Sequence, residues 1–166
     1  MIETNTHFEV TDQDNFLSKI IQLKRKFEVT RLSFINGFAE TDLPVAIAYR
    51  PNSKVLAQSG GKGISQTQTL ISALMESYEC HTAENVSYSM IDTYERDDPS
   101  KANPFKISTT LKDYRSAEPI RWCKAQNIFN GEDVYVPFSA VSLDFQNMSY
   151  IHKREPMMLT SNGLAS

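Results

Sequence analysis

The sequence predicts a mixed α/β domain of the α+β type, with helices packed on a mixed or antiparallel sheet. Three observations predict it. Two stretches, 12–27 and 65–84, carry apolar residues at the helical period. About six short segments between residues 29 and 145 are apolar or alternate with period two, as strands do. These strands do not alternate regularly with helices, which disfavours a doubly wound parallel sheet.

Taken in order, residues 12–27 read as an amphipathic helix. Phe16, Leu17, Ile20, Ile21, Leu23 and Phe27 supply the apolar side, Lys19, Lys24 and Arg25 the polar side, and Thr11 or Asp12 the cap. Val29 to Ile35 alternate like a half-buried strand. Val45 to Tyr49 form a short apolar run expected at a sheet centre. Arg50-Pro51-Asn52-Ser53 turns the chain, and Lys54 to Gln58 are expected to return as the hairpin partner. A long helix follows, ending near Glu84-Asn85. Residues 92–118 are polar and turn-rich and read as a surface loop with short helical pieces at most. Ile120–Ala125 and Asp133–Pro137 flank Asn130-Gly131-Glu132 as a hairpin, and Pro137 confines its strand to an edge or an end. Val141–Phe145 is a further short alternating segment.

The bulk numbers narrow the function. The chain has 166 residues, enough for one domain with a core, and its 40% hydrophobic and 22% charged content is that of a globular protein. A net charge of −3 argues against a broad nucleic-acid or membrane footprint. No apolar run approaches ~18 residues. The first residues lack the basic and apolar segments of a signal peptide. Cys80 and Cys123 form no CxxC pair, so a cytoplasmic protein with reduced thiols is expected. The chain stops at Ser161-Asn162-Gly163-Leu164-Ala165-Ser166, a turn followed by small residues. That ending predicts a truncated chain whose next element is to follow.

The most informative stretch is 60–80. Gly60-Gly61-Lys62-Gly63 reads as a glycine-rich loop running into a helix. Ser65 stands as N-cap, with Gln68 at the capping-box spacing. Ser72, Glu76 and Glu79 follow at i, i+4 and i+7, and at ~100° per residue they fall within roughly 60° of one another. A lysine, a hydroxyl and two stacked carboxylates would suit a nucleotide held through a divalent cation.

Each feature has a plainer counterpart. The loop lacks the Walker A spacing, so Gly60–Gly63 is either a turn or a phosphate contact made with help from the helix N-terminus. The two glutamates are either a solvated face or a cation site. Neither has a lysine or arginine at i±3 or i±4, and unpaired carboxylates on a largely apolar helix are costly without a counter-ion. Glu76, Glu79, Cys80 and His81 could ligate a transition metal only with help from elsewhere, since His81 lies ~100° around the helix from Cys80. The same offset weakens Cys80 as a nucleophile. Trp122 reads as a core residue.

The order of these landmarks resembles the YcaO family. Its pattern, roughly Gly-Lys-Gly followed by Ser-x-x-Glu-x-x-Glu-Arg, stands here as Gly61-Lys62-Gly63 and Ser72 to Cys80. Pro44-Val45 to Arg50-Pro51, Trp122 through Val136-Pro137, and Ser161-Asn162-Gly163-Leu164-Ala165 are similar to later family segments. The resemblance spans roughly residues 28–166.

It implies a single partial YcaO-like domain over 1–166, with ATP and Mg2+ as cofactors. Glu76 and Glu79 would be magnesium ligands. Lys62, Ser72, Ser161 and Asn162 would bind the nucleotide, and no catalytic residue is assigned. It implies an ATP-dependent cyclodehydratase that phosphorylates a backbone amide oxygen of a ribosomally made peptide, giving an azoline, thioamide or amidine. A peptide or protein substrate and a peptide-recognition partner are then expected, a homodimer is allowed, and no nucleic acid or membrane is. The alternative is a non-catalytic interaction or scaffold domain, including one serving ribosomal-protein modification. Two departures stand out. Cys80 replaces the family's arginine. The motifs that complete the family's site would lie beyond Ser166, so this chain alone is expected to bind nucleotide weakly or not at all.

Overall fold

The structure is a computed structural model that describes residues 12–35, 42–107 and 118–146. It divides into two compact units, one through Tyr78 and one from Glu79 onward. Two helices and two three-stranded antiparallel sheets form the framework of the described residues, so the α+β expectation holds.

In the first unit, helix α1 (Gln13–Ile21) is capped by Asp12, whose carboxylate accepts from the amides of Asp14 and Asn15 at 3.2 and 3.3 Å. The sequence pattern carries a helix to Phe27, whereas regular α-helix stops at Ile21. The chain then tightens: Leu23 and Lys24 donate three residues back, to Ile20 and Ile21. The stop comes at Glu28, whose φ is +59°. Its amide donates to Arg25 O at 3.2 Å, and that of Val29 to Lys24 O at 2.8 Å. This is a Schellman termination with glutamate where glycine is usual.

Strands β1 (Arg31–Phe34), β2 (Val45–Tyr49) and β3 (Gln58–Lys62) form the first sheet, with β2 central. The returning strand lies four residues later than the sequence pattern placed it. The turn after β2 is wide: Arg50 N donates to Ala57 O at 2.7 Å, and pairing begins only at Gln58 opposite Tyr49. Ala46 and Ala48 on β2 pair with Gly61 and Ser59 on β3, so all four face one side. That side is covered by helix α2 (Gln66–Glu84), whose Ala73, Leu74 and Tyr78 join Ala46, Ala48, Ile20 and Val29 in the core. A Cβ on Gly61 would sit 2.2 Å from Thr69 O and 2.4 Å from Ala73 N. The glycine lets helix and strand touch through their backbones.

In the second unit, β4 (Met90–Asp92), β5 (Ile120–Gln126) and β6 (Asp133–Pro137) form an antiparallel sheet with β5 central. A single turn, α3 (Pro104–Ile107), lies between β4 and β5 in sequence. The β5–β6 hairpin turns where the sequence pattern put it, with Gly131 at φ +74°. Trp122 is fully buried, and its Nε1 donates to Asp92 O at 2.9 Å. Val141–Phe145 is not a strand. A 3-10 turn (Phe138–Ala140) follows Pro137, and the Leu143 amide donates to Ala83 O at the end of α2 instead of to a sheet neighbour.

Candidate functional site

The site begins at the start of α2. Ser65 Oγ accepts from the Gln68 amide at 3.2 Å, as a capping box requires. The Gln68 side chain reaches back one residue further than usual, accepting from Ile64 N at 3.1 Å. Thr69 Oγ1 donates to Ser65 O at 2.8 Å. These bonds fix the helix start and hence the rotation of everything after it.

That rotation puts Thr69, Ala73 and Ser77 against the sheet, all buried. Ser72 and Glu79 are half-buried and Glu76 is exposed. The three occupy one arc of roughly 60°, beside the buried stripe and not within it. Glu76 and Glu79 are one turn apart.

Lys62 lies elsewhere. The stretch read as a glycine-rich loop is largely strand: Gly60, Gly61 and Lys62 pair with Ile47, Ala46 and Val45. Gly61 faces α2, so by strand alternation Lys62 faces the opposite side of the sheet, where it is exposed. Gly63 lies against Gln68 and Thr69, so Lys62 is level with the first turns of α2. Glu76 is seven residues further on, ~10 Å along the axis. Ser72, Glu76 and Glu79 therefore share a surface that Lys62 does not. Ser161 and Asn162 lie outside the described residues.

Hard oxygen donors on one helical arc fit a magnesium ion, which takes one or two carboxylates and completes its shell with phosphate oxygens and water. Among the described residues, no group of three or more His, Cys, Asp or Glu is gathered to hold a metal, so Cys80 and His81 are not drawn into a transition-metal set with the glutamates. Cys80 is half-buried and forms no disulfide among the described residues.

One residue was missed as more than a turn marker. Arg50 is 1% exposed, and its Nη1 donates to Ser77 O at 3.3 Å, on the helical turn that carries Glu76. The sequence signal is an arginine closing an apolar strand directly before a proline.

The family model for YcaO cyclodehydratase, ATP- and Mg2+-binding, matches residues 60–166, from β3 through α2 to the end of the chain. The chain belongs to the YcaO family. An uncharacterised protein in the tfuA 3′ region of Rhizobium leguminosarum bv. trifolii is 30% identical over 147 residues, covering 86% of this chain and 34% of that protein. An uncharacterised protein of Methanothermobacter thermautotrophicus is 33% identical over 119 residues, covering 68% of this chain and 30% of its own length. The chain thus spans about a third of the length of the curated relatives it matches.

Solved structures share the fold. The YcaO protein from Methanopyrus kandleri, bound with AMPPCP and Mg2+, superposes with a TM-score of 0.57 at 24% identity, over 79% of this chain and 33% of that one. A heterocyclase in complex with substrate and cofactor superposes with a TM-score of 0.61 at 13% identity, over 86% of this chain and 24% of that one.

Proposed function

We propose that this chain supplies the N-terminal part of a YcaO-type enzyme that uses ATP and Mg2+ to activate backbone amides of a ribosomally made peptide, most simply to form azolines. The observation that carries the reading is the arc of Ser72, Glu76 and Glu79 on α2, within the segment that matches the family model. The nucleotide-bound relative with the same fold supports ATP and Mg2+ as the ligands.

On this reading Glu76 and Glu79 hold the cation, whose charge neutralises phosphate oxygens during phosphoryl transfer. Ser72, one turn before Glu76, donates its hydroxyl to the nucleotide. Lys62 faces the opposite side of the first sheet and is left out of this site, while Ser161 and Asn162 would join it from the segment that follows the second unit's sheet. The amide oxygen takes the terminal phosphoryl group and ADP leaves. A cysteine thiol or serine or threonine hydroxyl of the substrate adds to the amide carbon and gives up its proton. Phosphate then departs with the former amide oxygen, and loss of the amide proton leaves the ring C=N bond. An external sulfide or amine in place of the side chain would give a thioamide or amidine. The substrate, a peptide-recognition partner, self-association and a cytoplasmic setting belong to the same proposal.

Calorimetric titration of Mg-ATP into the full-length protein tests it. Glu76→Gln with Glu79→Gln should weaken binding at least ~100-fold, about 2.7 kcal/mol. Unchanged affinity would remove both residues from the site. Cys80, standing where the family has arginine, favours a second reading as a non-catalytic interaction domain. A full-length protein that binds no Mg-ATP at millimolar concentration would establish that alternative.

A further inference from the structure

The chain carries −3 overall, yet residues 19–31 hold five cations (Lys19, Lys24, Arg25, Lys26 and Arg31) against one carboxylate, Glu28. The structure gathers part of this run around an open cavity of about 660 Å3 in the first unit, where α1 ends and β1 begins. Lys24 and Arg25 line it together with Ile21, Glu28, Val29 and Thr30. Among the described residues, no acidic side chain pairs with Lys24 or Arg25, although paired lysines occur elsewhere, as in Lys124 with Asp133 at 2.7 Å.

The cavity is built, not left over. Its wall is the Schellman turn, with Val29 N held by Lys24 O at 2.8 Å and Glu28 in the left-handed region. A non-glycine residue there is held against a conformational preference of ~1 kcal/mol. Val29 is anchored in the core at 4% exposure and gives the cavity an apolar floor, while Ile21 stays 39% exposed at its side. Leu23, on the same turn, is 40% exposed. Apolar surface and cations are thus interleaved over one stretch of turn.

We propose that this cavity docks an acidic, amphipathic peptide segment of a partner protein. An apolar side chain of the segment enters against Ile21 and Val29, and flanking carboxylates meet Lys24 and Arg25. Charge complementarity selects an anionic partner. A long polyanion such as RNA would also meet the net-negative remainder of the chain, whereas a short segment confined to the cavity would not. The proposal is independent of the nucleotide site on α2.

Fluorescence anisotropy with the 166-residue chain tests it, using three labelled probes: an alternating Leu-Glu peptide, its Leu-Lys counterpart and a single-stranded RNA of equal length. The Leu-Glu peptide should bind, and added salt should weaken it. Lys24→Glu with Arg25→Glu should reduce its affinity at least ~10-fold, as should Ile21→Ser alone, while Lys106→Glu on α3 changes it less than ~2-fold. If the double variant fails to fold by circular dichroism, Lys24→Ala with Arg25→Ala replaces it, with a loss of ~3-fold or more expected. No Leu-Glu binding, equal binding of the Leu-Lys peptide, or indifference to these substitutions would overturn the proposal. RNA binding stronger than that of the Leu-Glu peptide would replace it with a nucleic-acid site.

Discussion

At the scale of single residues, the two glycines of β3 differ in how closely the helix rests on them. A Cβ on Gly61 would overlap backbone atoms of α2, whereas one on Gly60 meets nothing within 4 Å. Gly61→Ala should therefore destabilise the protein by ~3 kcal/mol or more, and Gly60→Ala by less than ~0.5 kcal/mol, measured by urea unfolding. Similar losses at both positions would mean that the helix does not rest on Gly61. Glu28 offers the converse. At φ +59°, Glu28→Gly should raise stability by ~1 kcal/mol, read as a higher denaturant midpoint at unchanged slope. Tyr78 is buried at 4% exposure and donates to Ile20 O at 2.6 Å, and burial pushes its phenol up to about 12. A phenol kept protonated by the fold stabilises in full below the unfolded value near 10. That contribution falls away as pH climbs through about 12. Tyr78→Phe should remove this alkaline loss and cost ~1 kcal/mol at neutral pH, visible by thermal melts across the range.

At the scale of elements, legibility follows how locally each structure is determined. Helix α2 was readable end to end because its cap, its apolar stripe and its carboxylate arc are all written within its own residues. The β5–β6 hairpin was readable because Asn130-Gly131 demands a turn. The hairpin partner of β2 was not, because the width of a turn depends on Arg50 N reaching Ala57 O, a choice no period records. The Lys62 face followed from that register: one strand assignment decides to which side of a sheet every side chain points. Likewise Val141–Phe145 alternates in sequence, yet the Leu143 amide is taken by Ala83. The stretch after β4 shows a further tie the sequence hid. Lys101 Nζ lies 2.7 Å from Asp92 and 3.3 Å from Asp98, and also donates to Thr93 O at 3.0 Å. The Lys101 hydrogen bond holds the Asp92 carboxyl below its usual range. Bonds from Ser100 do so first for Asp98, and Asp92 in turn raises Lys101. Depressed carboxyls stabilise above their unfolded value near 4 and lose that as pH falls; the raised lysine does so below about 10 and loses it as pH rises. Amide exchange over residues 92–101 should thus be slowest, relative to intrinsic rates, between those limits. Lys101→Met should flatten the profile, and an unaltered profile would count against the tie.

At the scale of the whole molecule, the distribution of charge matters more than its total. A net charge of −3 argues against a broad polyanion footprint, but that total conceals the cationic run at 19–31. The chain also spans only about a third of its curated relatives. The Ser72, Glu76 and Glu79 arc was legible because an i, i+4, i+7 pattern is complete within one helix. What else meets that arc depends on contacts between distant segments, which spacing along a sequence does not encode. The same limit applied to Arg50, whose burial against Ser77 O required the sheet and helix to be packed first.

The border between the two compact units falls at Tyr78 and Glu79, inside α2 and not in a connecting loop. A natural recombination event, or a protein engineer, looking for a seam to cut would find none there. Severing the chain at that point leaves a C-terminal helical stub ending at Glu84, far below the ~12 residues at which a helix begins to hold itself in water. The N-terminal piece would lose the amide donors that satisfy the carbonyls of its last turn. Module exchange between relatives should therefore succeed at the β2–β3 turn or at the β5–β6 hairpin tip, and fail at the border that compactness alone would choose. Soluble yield and melting temperature of such chimaeras would measure the difference.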